Sequence, residues 1–187
     1  MSYDIFCYKS NLKHPDIDDA SQVIEDDNDI WVKKPYNYEM KIAVEKALLG
    51  IDPALIGFDY DLLAKKKNKS AEDVKKEFLK FELNAAYGES EVHVEVFDYH
   101  VAIAVPFIYQ GDIAKTVFEK LKLYIKVVNE TAGYFVYDPQ TGQVFDPAEN
   151  EFDGLNKYLL VSESTEEMIG AQSTAQTKIT RPWWKFW

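Results

Sequence analysis

Few residues in this chain are of the types that chemistry recruits. There is one cysteine, Cys7, and there are three histidines, His14, His93 and His100. Nucleophilic catalysis needs a thiol or hydroxyl beside a base and an orienting group. Cys7 lies inside an aromatic and β-branched run, Tyr3 to Tyr8, and reads as a small core residue, not a thiolate. His14 precedes a proline in a loop. His93 alternates with valines beside Glu91 and Glu95, the position of a solvated or cross-strand-paired ring. His93 and His100 would form an acid–base site with nearby carboxylates only if the fold brought them into one cleft. Two acidic clusters, Asp16, Asp18 and Asp19, then Glu25, Asp26, Asp27 and Asp29, invite a cation. They lack the glycine, the distal glutamate and the regular ligand spacing of a calcium loop. No phosphate loop, dinucleotide fingerprint, zinc spacing or nucleophile elbow appears. The reading therefore assigns no catalytic residue, metal or cofactor. It expects the seven carboxylates to meet a basic protein partner, with Trp31, Tyr36 and Tyr38 as aromatic anchors among them.

A second adhesive feature is the segment Arg181-Pro182-Trp183-Trp184-Lys185-Phe186-Trp187, which follows a stretch of Gly, Ala, Gln, Ser and Thr from Gly170 to Thr180. Four buried aromatics could remove about 600–1,000 Å² from water, at roughly 150–250 Å² each. Trp183, Trp184, Phe186 and Trp187 are therefore expected to dock. The residues leave open whether they cap the chain's own sheet, enter a second copy or anchor a different protein.

Charge narrows the partner. All 32 acidic residues precede Gly170 together with 18 of the 21 basic ones, so the body carries 18 − 32 = −14, while Lys178, Arg181 and Lys185 stand in the acid-free segment. Nucleic-acid binding requires basic side chains to neutralise phosphates, so a body of this sign argues against it. A lone cysteine fits a reducing compartment. The opening Met1-Ser2-Tyr3-Asp4-Ile5-Phe6 lacks the basic and apolar regions of a signal peptide, and no stretch has membrane-spanning length. The expectation is a cytoplasmic protein that binds neither nucleic acid nor membrane.

The positioning elements follow from periodicity. Tyr3 to Tyr8 reads as a strand, and about 15–25 as a surface helix. Asn37 can cap a helix to about Leu49 whose inner stripe is Met40, Ala43, Val44, Ala47 and Leu48, stopped by Gly50 and Pro53. Residues 51–63 show no clean period, 65–69 read as a basic loop, and Ser70 with Asp73 resembles a capping box opening a short helix through Phe78. Val92, Val94 and Val96 alternate with polar residues, and Val101 to Val105 alternates with alanines, so these form a hairpin about Asp98-Tyr99 whose second face is small. Residues 112–129 form the clearest amphipathic helix, with Ile113, Val117, Leu121, Tyr124, Ile125 and Val128 inward. Asp138-Pro139-Gln140-Thr141-Gly142 is a turn between two further strands. Residues 152–161 add a helix or edge strand. The order of elements implies an α+β fold: a mostly antiparallel sheet with helices packed on one face, residues 1–169, and a linker with an aromatic tail, residues 170–187.

The start Met1-Ser2-Tyr3-Asp4, the turn Tyr137-Asp138-Pro139-Gln140-Thr141-Gly142 and the end Pro182-Trp183-Trp184-Lys185-Phe186-Trp187 resemble a loose group of uncharacterised small bacterial proteins. In size, acidity and lack of a catalytic constellation the chain is also similar in character to bacterial toxin immunity proteins. That resemblance implies a tight protein partner, often a basic nuclease domain, whose active site is occluded. The alternatives are a self-associating scaffold assembled through the tail, and an enzyme using His93 and His100.

Overall fold

The computed structural model describes residues 2–29, 37–85, 92–150 and 152–162. Their fold is α+β. The strands β1 (Ser2–Tyr8), β2 (Leu55–Gly57), β3 (Phe81–Ala85), β4 (His93–Val96), β5 (His100–Pro106), β6 (Phe135–Asp138) and β7 (Gln143–Phe145) form one sheet of order β2-β3-β4-β5-β1-β6-β7, antiparallel at every pairing. The helices are α1 (Ile17–Asn28), α2 (Tyr38–Ile51), α3 (Tyr60–Lys67), α4 (Ala71–Lys76) and α5 (Gly111–Ala132), with a further helical segment at 155–162.

Side-chain alternation divides the sheet into two unlike faces. Ile5 lies opposite Ile103, Ile103 opposite Val94, and Val94 opposite Leu83, a row of four fully buried aliphatics across four strands. The next row, on the other face, reads Asp4, Ala104, His93 and Asn84. α2 and α5 pack on each other, and both contribute to the core formed by the aliphatic face. α5 buries Val117, Phe118, Leu121, Tyr124, Ile125 and Val128 as its period requires, while Ile113, expected inward, is 60% exposed in the first turn. Its end is set by Gly133 at φ +67, a left-handed position that costs glycine little.

α2 and α5 share a core with the aliphatic face, whereas α1 does not join them there. Tyr8 pairs with His100 on the face opposite Ile5, and α1 lies against that end of it, with Asp27 bonded to the His100 ring. α2 is also rotated from its expected stripe. Ala43 is exposed, and Lys41 and Glu45 are buried beside Val44 and Leu48. Each of the two charges has a partner: Lys41 Nζ donates to the carbonyls of Phe78 (3.1 Å) and Leu79 (3.0 Å), and Glu45 pairs with Lys75 at 2.6 Å. A charge satisfied in this way survives burial, so apolar spacing alone misplaces the face. Asn37 makes no side-chain cap; its amide donates to the carbonyl of Asp98 instead. The basic loop expected at 65–69 is in part the end of α3, whose three lysines sit favourably at the negative end of the helix. The N-cap at Ser70 forms, with Asp73 N donating to Ser70 Oγ at 3.0 Å, but the Asp73 carboxylate accepts from the Ser70 hydroxyl at 2.7 Å, so the expected box is only half made.

One end of the core is aromatic. Tyr3 meets Phe118, Phe152 and Tyr158 edge-on with centroids 5.5–6.5 Å apart, and its hydroxyl donates to Asp138 Oδ2 at 2.6 Å. Asp138 Oδ1 accepts from the backbone of Gln140 and Thr141, so one carboxylate ties the β6–β7 turn to the core. Gly154 fits against this group with no room for a side chain, since an added Cβ would stand 2.4 Å from both Tyr3 Oη and Phe152 Cζ. Gly154→Ala is expected to lower stability by about 1–3 kcal/mol through overpacking, read as a lower urea midpoint at unchanged slope; an unaltered midpoint would refute the packing described.

Candidate functional site

The acidic segment singled out in the sequence becomes α1 and its two caps. Asp16 is the N-cap, its Oδ1 accepting from Asp19 N at 3.0 Å, and Asp18 and Asp19 occupy the first turn, where the helix dipole favours negative charge. Glu25, Asp26 and Asp27 lie at the other end, where the dipole disfavours them and no basic residue offsets it within the helix. Asp16, Asp18, Glu25 and Asp29 are exposed, and Asp19 and Asp26 are half-buried. Gln22 Nε2 donates to Asp26 Oδ1 at 2.8 Å. The result is a ridge roughly 18 Å long at 1.5 Å per residue, lined with carboxylates.

Asp27 departs from its expected role. It is 1% exposed and faces inward, so it cannot touch a partner. Its Oδ2 accepts from Tyr99 N (2.7 Å), His100 N (3.1 Å) and His100 Nδ1 (2.8 Å). The turn it holds needs holding. Phe97 N donates to His100 O around Asp98-Tyr99, yet neither central residue has the positive φ that two-residue hairpin turns prefer. Other groups converge on the same turn. Lys9 N donates to Tyr99 O, and Asn37 Nδ2 and Tyr134 Oη donate to Asp98 O at 2.9 and 3.2 Å. Lys41 Nζ lies 2.9 Å from Asp98 Oδ1, a contact of charge more than of alignment, because that oxygen accepts no well-angled hydrogen bond. Phe97 stacks on the His100 ring at 4.1 Å. Burial first, then the carboxylates of Asp27 and Asp98, push the Tyr134 phenol above its ordinary value, so it remains a neutral donor.

Tyr38, expected as an exposed anchor, is also inside: it packs edge-on to Phe81 and is 8% exposed. Its aromatic area serves the core. Trp31 and Tyr36 lie outside the described residues, as do Trp183, Trp184, Phe186 and Trp187.

The two hairpin histidines are not brought together. His100 is buried against Asp27, whereas His93 is opposite Ala104, four residues along β5, or about 13 Å at 3.3 Å per residue. His93 makes the cross-strand contacts expected of it, Nδ1 to Asn84 Oδ1 and Nε2 to Glu95 Oε1 at 3.1 Å, and Lys80 bridges Glu95 and Glu82. Burial raises the Glu95 carboxyl, but Lys80 and His93 outweigh it and hold the group below the ordinary range. His14 is exposed. Among the described residues no three His, Cys, Asp or Glu side chains are placed to hold a metal ion, and no helix is long and apolar enough to cross a membrane.

What these elements define is an acidic α+β protein with a carboxylate ridge locked to a sheet. Compared with protein-family models, curated proteins and solved structures, the chain matches none.

Two outcomes check this site. Asp27→Ala strands the amides of Tyr99 and His100 in the interior and is expected to cost about 3 kcal/mol or more, at roughly 1–3 per unsatisfied group. Asp27→Asn, which keeps an acceptor, loses less. Hydrogen exchange at those two amides distinguishes the clamp from general destabilisation. Burial pushes the Cys7 thiol up to about 12, so the native protein should resist disulfide-exchange reagents from pH 7 to 9 and react only when unfolded. Rapid labelling without unfolding would show Cys7 to be accessible.

Proposed function

We propose that the chain is a protein-binding inhibitor of the immunity type, which neutralises a basic toxin domain by laying its acidic ridge over the toxin's active site. The observation that carries this reading is α1 itself. Acids crowd its C-terminal turn against the helix dipole, a placement that costs stability at about 0.3–1 kcal/mol each, and Asp27 fixes the helix rigidly to the β4–β5 turn. A pre-positioned row of carboxylates on a body of charge −14 steers a basic partner and presents it with a surface that need not reorganise. Occlusion requires no chemistry from the inhibitor. It acts where the toxin works, in the cytoplasm.

The test is protection. Co-expression with the toxin encoded beside the gene should rescue growth, and the purified pair should associate at a rate that falls steeply with ionic strength. Charge reversal at Glu25 and Asp29, both exposed and outside the clamp, should abolish rescue with little change in the melting temperature, while Asp16 and Asp18 are kept because the N-cap and first turn of α1 use them. Full rescue by that variant would overturn the role of the ridge.

A further inference from the structure

α1 covers the second face of the sheet only at the Tyr8–His100 end. Towards the Ser2–Pro106 end that face carries a groove of about 460 Å³ between Ala104 and Pro106 on one side and Asn84 and His93 on the other, with Ser2 at its margin and Ala85 and the buried Val92, both from the aliphatic side, closing its end. Small side chains leave this volume, because Ala102 and Ala104 face outward on β5 where the inward positions are Val101, Ile103 and Val105. Ile56, opposite Asn84 on the edge strand, extends the apolar surface and is 58% exposed. We propose that the groove is the docking site of this chain's own aromatic segment, Arg181–Trp187, bound in cis.

Three further observations select that occupant. The described chain leaves the body at the groove's end of the sheet: Ser162 Oγ donates to Tyr109 O at 3.2 Å, and Tyr158 Oη donates to the carbonyl of Pro106, a groove residue, at 2.7 Å. Residues 163–180 then provide a reach of up to about 60 Å at 3.3–3.6 Å each, ample to round the sheet edge, and the tether gives an effective concentration on the order of millimolar. Charge agrees. Around the groove the second face carries Asp4, Glu82 and Glu95, the last two paired with Lys80, whereas Lys178, Arg181 and Lys185 accompany the aromatics. A volume of this size lies within the roughly 300–1,000 Å³ of small concave sites and suits indoles.

The experiment uses the full chain with Trp31→Phe, so that only Trp183, Trp184 and Trp187 emit. Docking predicts blue-shifted emission protected from acrylamide. Ala104→Arg, which fills the groove and repels Arg181 and Lys185, should shift the emission to the red and raise quenching. Independently, full-length Trp183→Ala/Trp184→Ala/Trp187→Ala should move the amide resonances of Ser2, His93 and Ala104 while those of α5 stay in place, which keeps the proposal testable if Ala104→Arg misfolds. Monomer mass by light scattering with these shifts supports docking in cis. Unmoved groove resonances overturn it, and so do concentration-dependent shifts accompanied by a dimer mass, which would place the segment on a second copy. Groove shifts that only an added foreign protein produces would also count against it.

Discussion

The arrangement of the sheet's second face depends on a single buried carboxylate. Two strands joined by Asp98-Tyr99 lack the left-handed residues that usually close such a hairpin, so the turn's backbone groups must find partners elsewhere. Asp27 supplies the acceptor for two of the amides, and Asn37 and Tyr134 supply donors for the carbonyl of Asp98. Elements far apart in sequence, α1, the start of α2 and the start of β6, are thereby tied to one point. The acidic helix lies where it does because the buried carboxylate of Asp27 is needed there.

Buried polar groups play the same organising part on the other side. Lys41 faces the core from α2 and satisfies two carbonyls that precede β3, while Asp138 joins the Tyr3 hydroxyl to the β6–β7 turn. Removing one member of such a set leaves a desolvated charge or dipole, which is why these contacts specify geometry beyond what apolar packing alone would fix. Aliphatic rows hold the sheet to α2 and α5. The polar ties set which end of each helix meets which strand.

With both kinds of tie in place, the sheet has a closed face and a divided one. α1 occupies one end of the divided face and turns Asp18, Glu25 and Asp29 to solvent; small side chains keep the other end shallow. The proposed inhibitor surface and the proposed docking groove thus occupy opposite ends of one face, and occupation of the groove leaves the ridge free.

Much of the architecture was legible in local pattern. The alternation in β1, β4 and β5, the 3.6-residue period of α5, the N-cap at Ser70 and the Asp138–Gly142 turn each encode their element within a few residues, since backbone hydrogen bonding and one-sided burial act at short range. The same is true of the acid-rich helix, which sequence placed correctly as an element. β2 and β3 were missed, although Phe81 and Leu83 alternate with Glu82 and Asn84, because so short a run gains its stability from neighbours. Nothing local distinguished Asp27 from the acids around it, Tyr38 from an exposed aromatic, or Lys41 from a solvated lysine. Their placement was decided by tertiary structure, for a physical reason: a polar group can be buried only where distant parts of the chain bring the matching donor, acceptor or charge, and no window of sequence contains both halves of that pair.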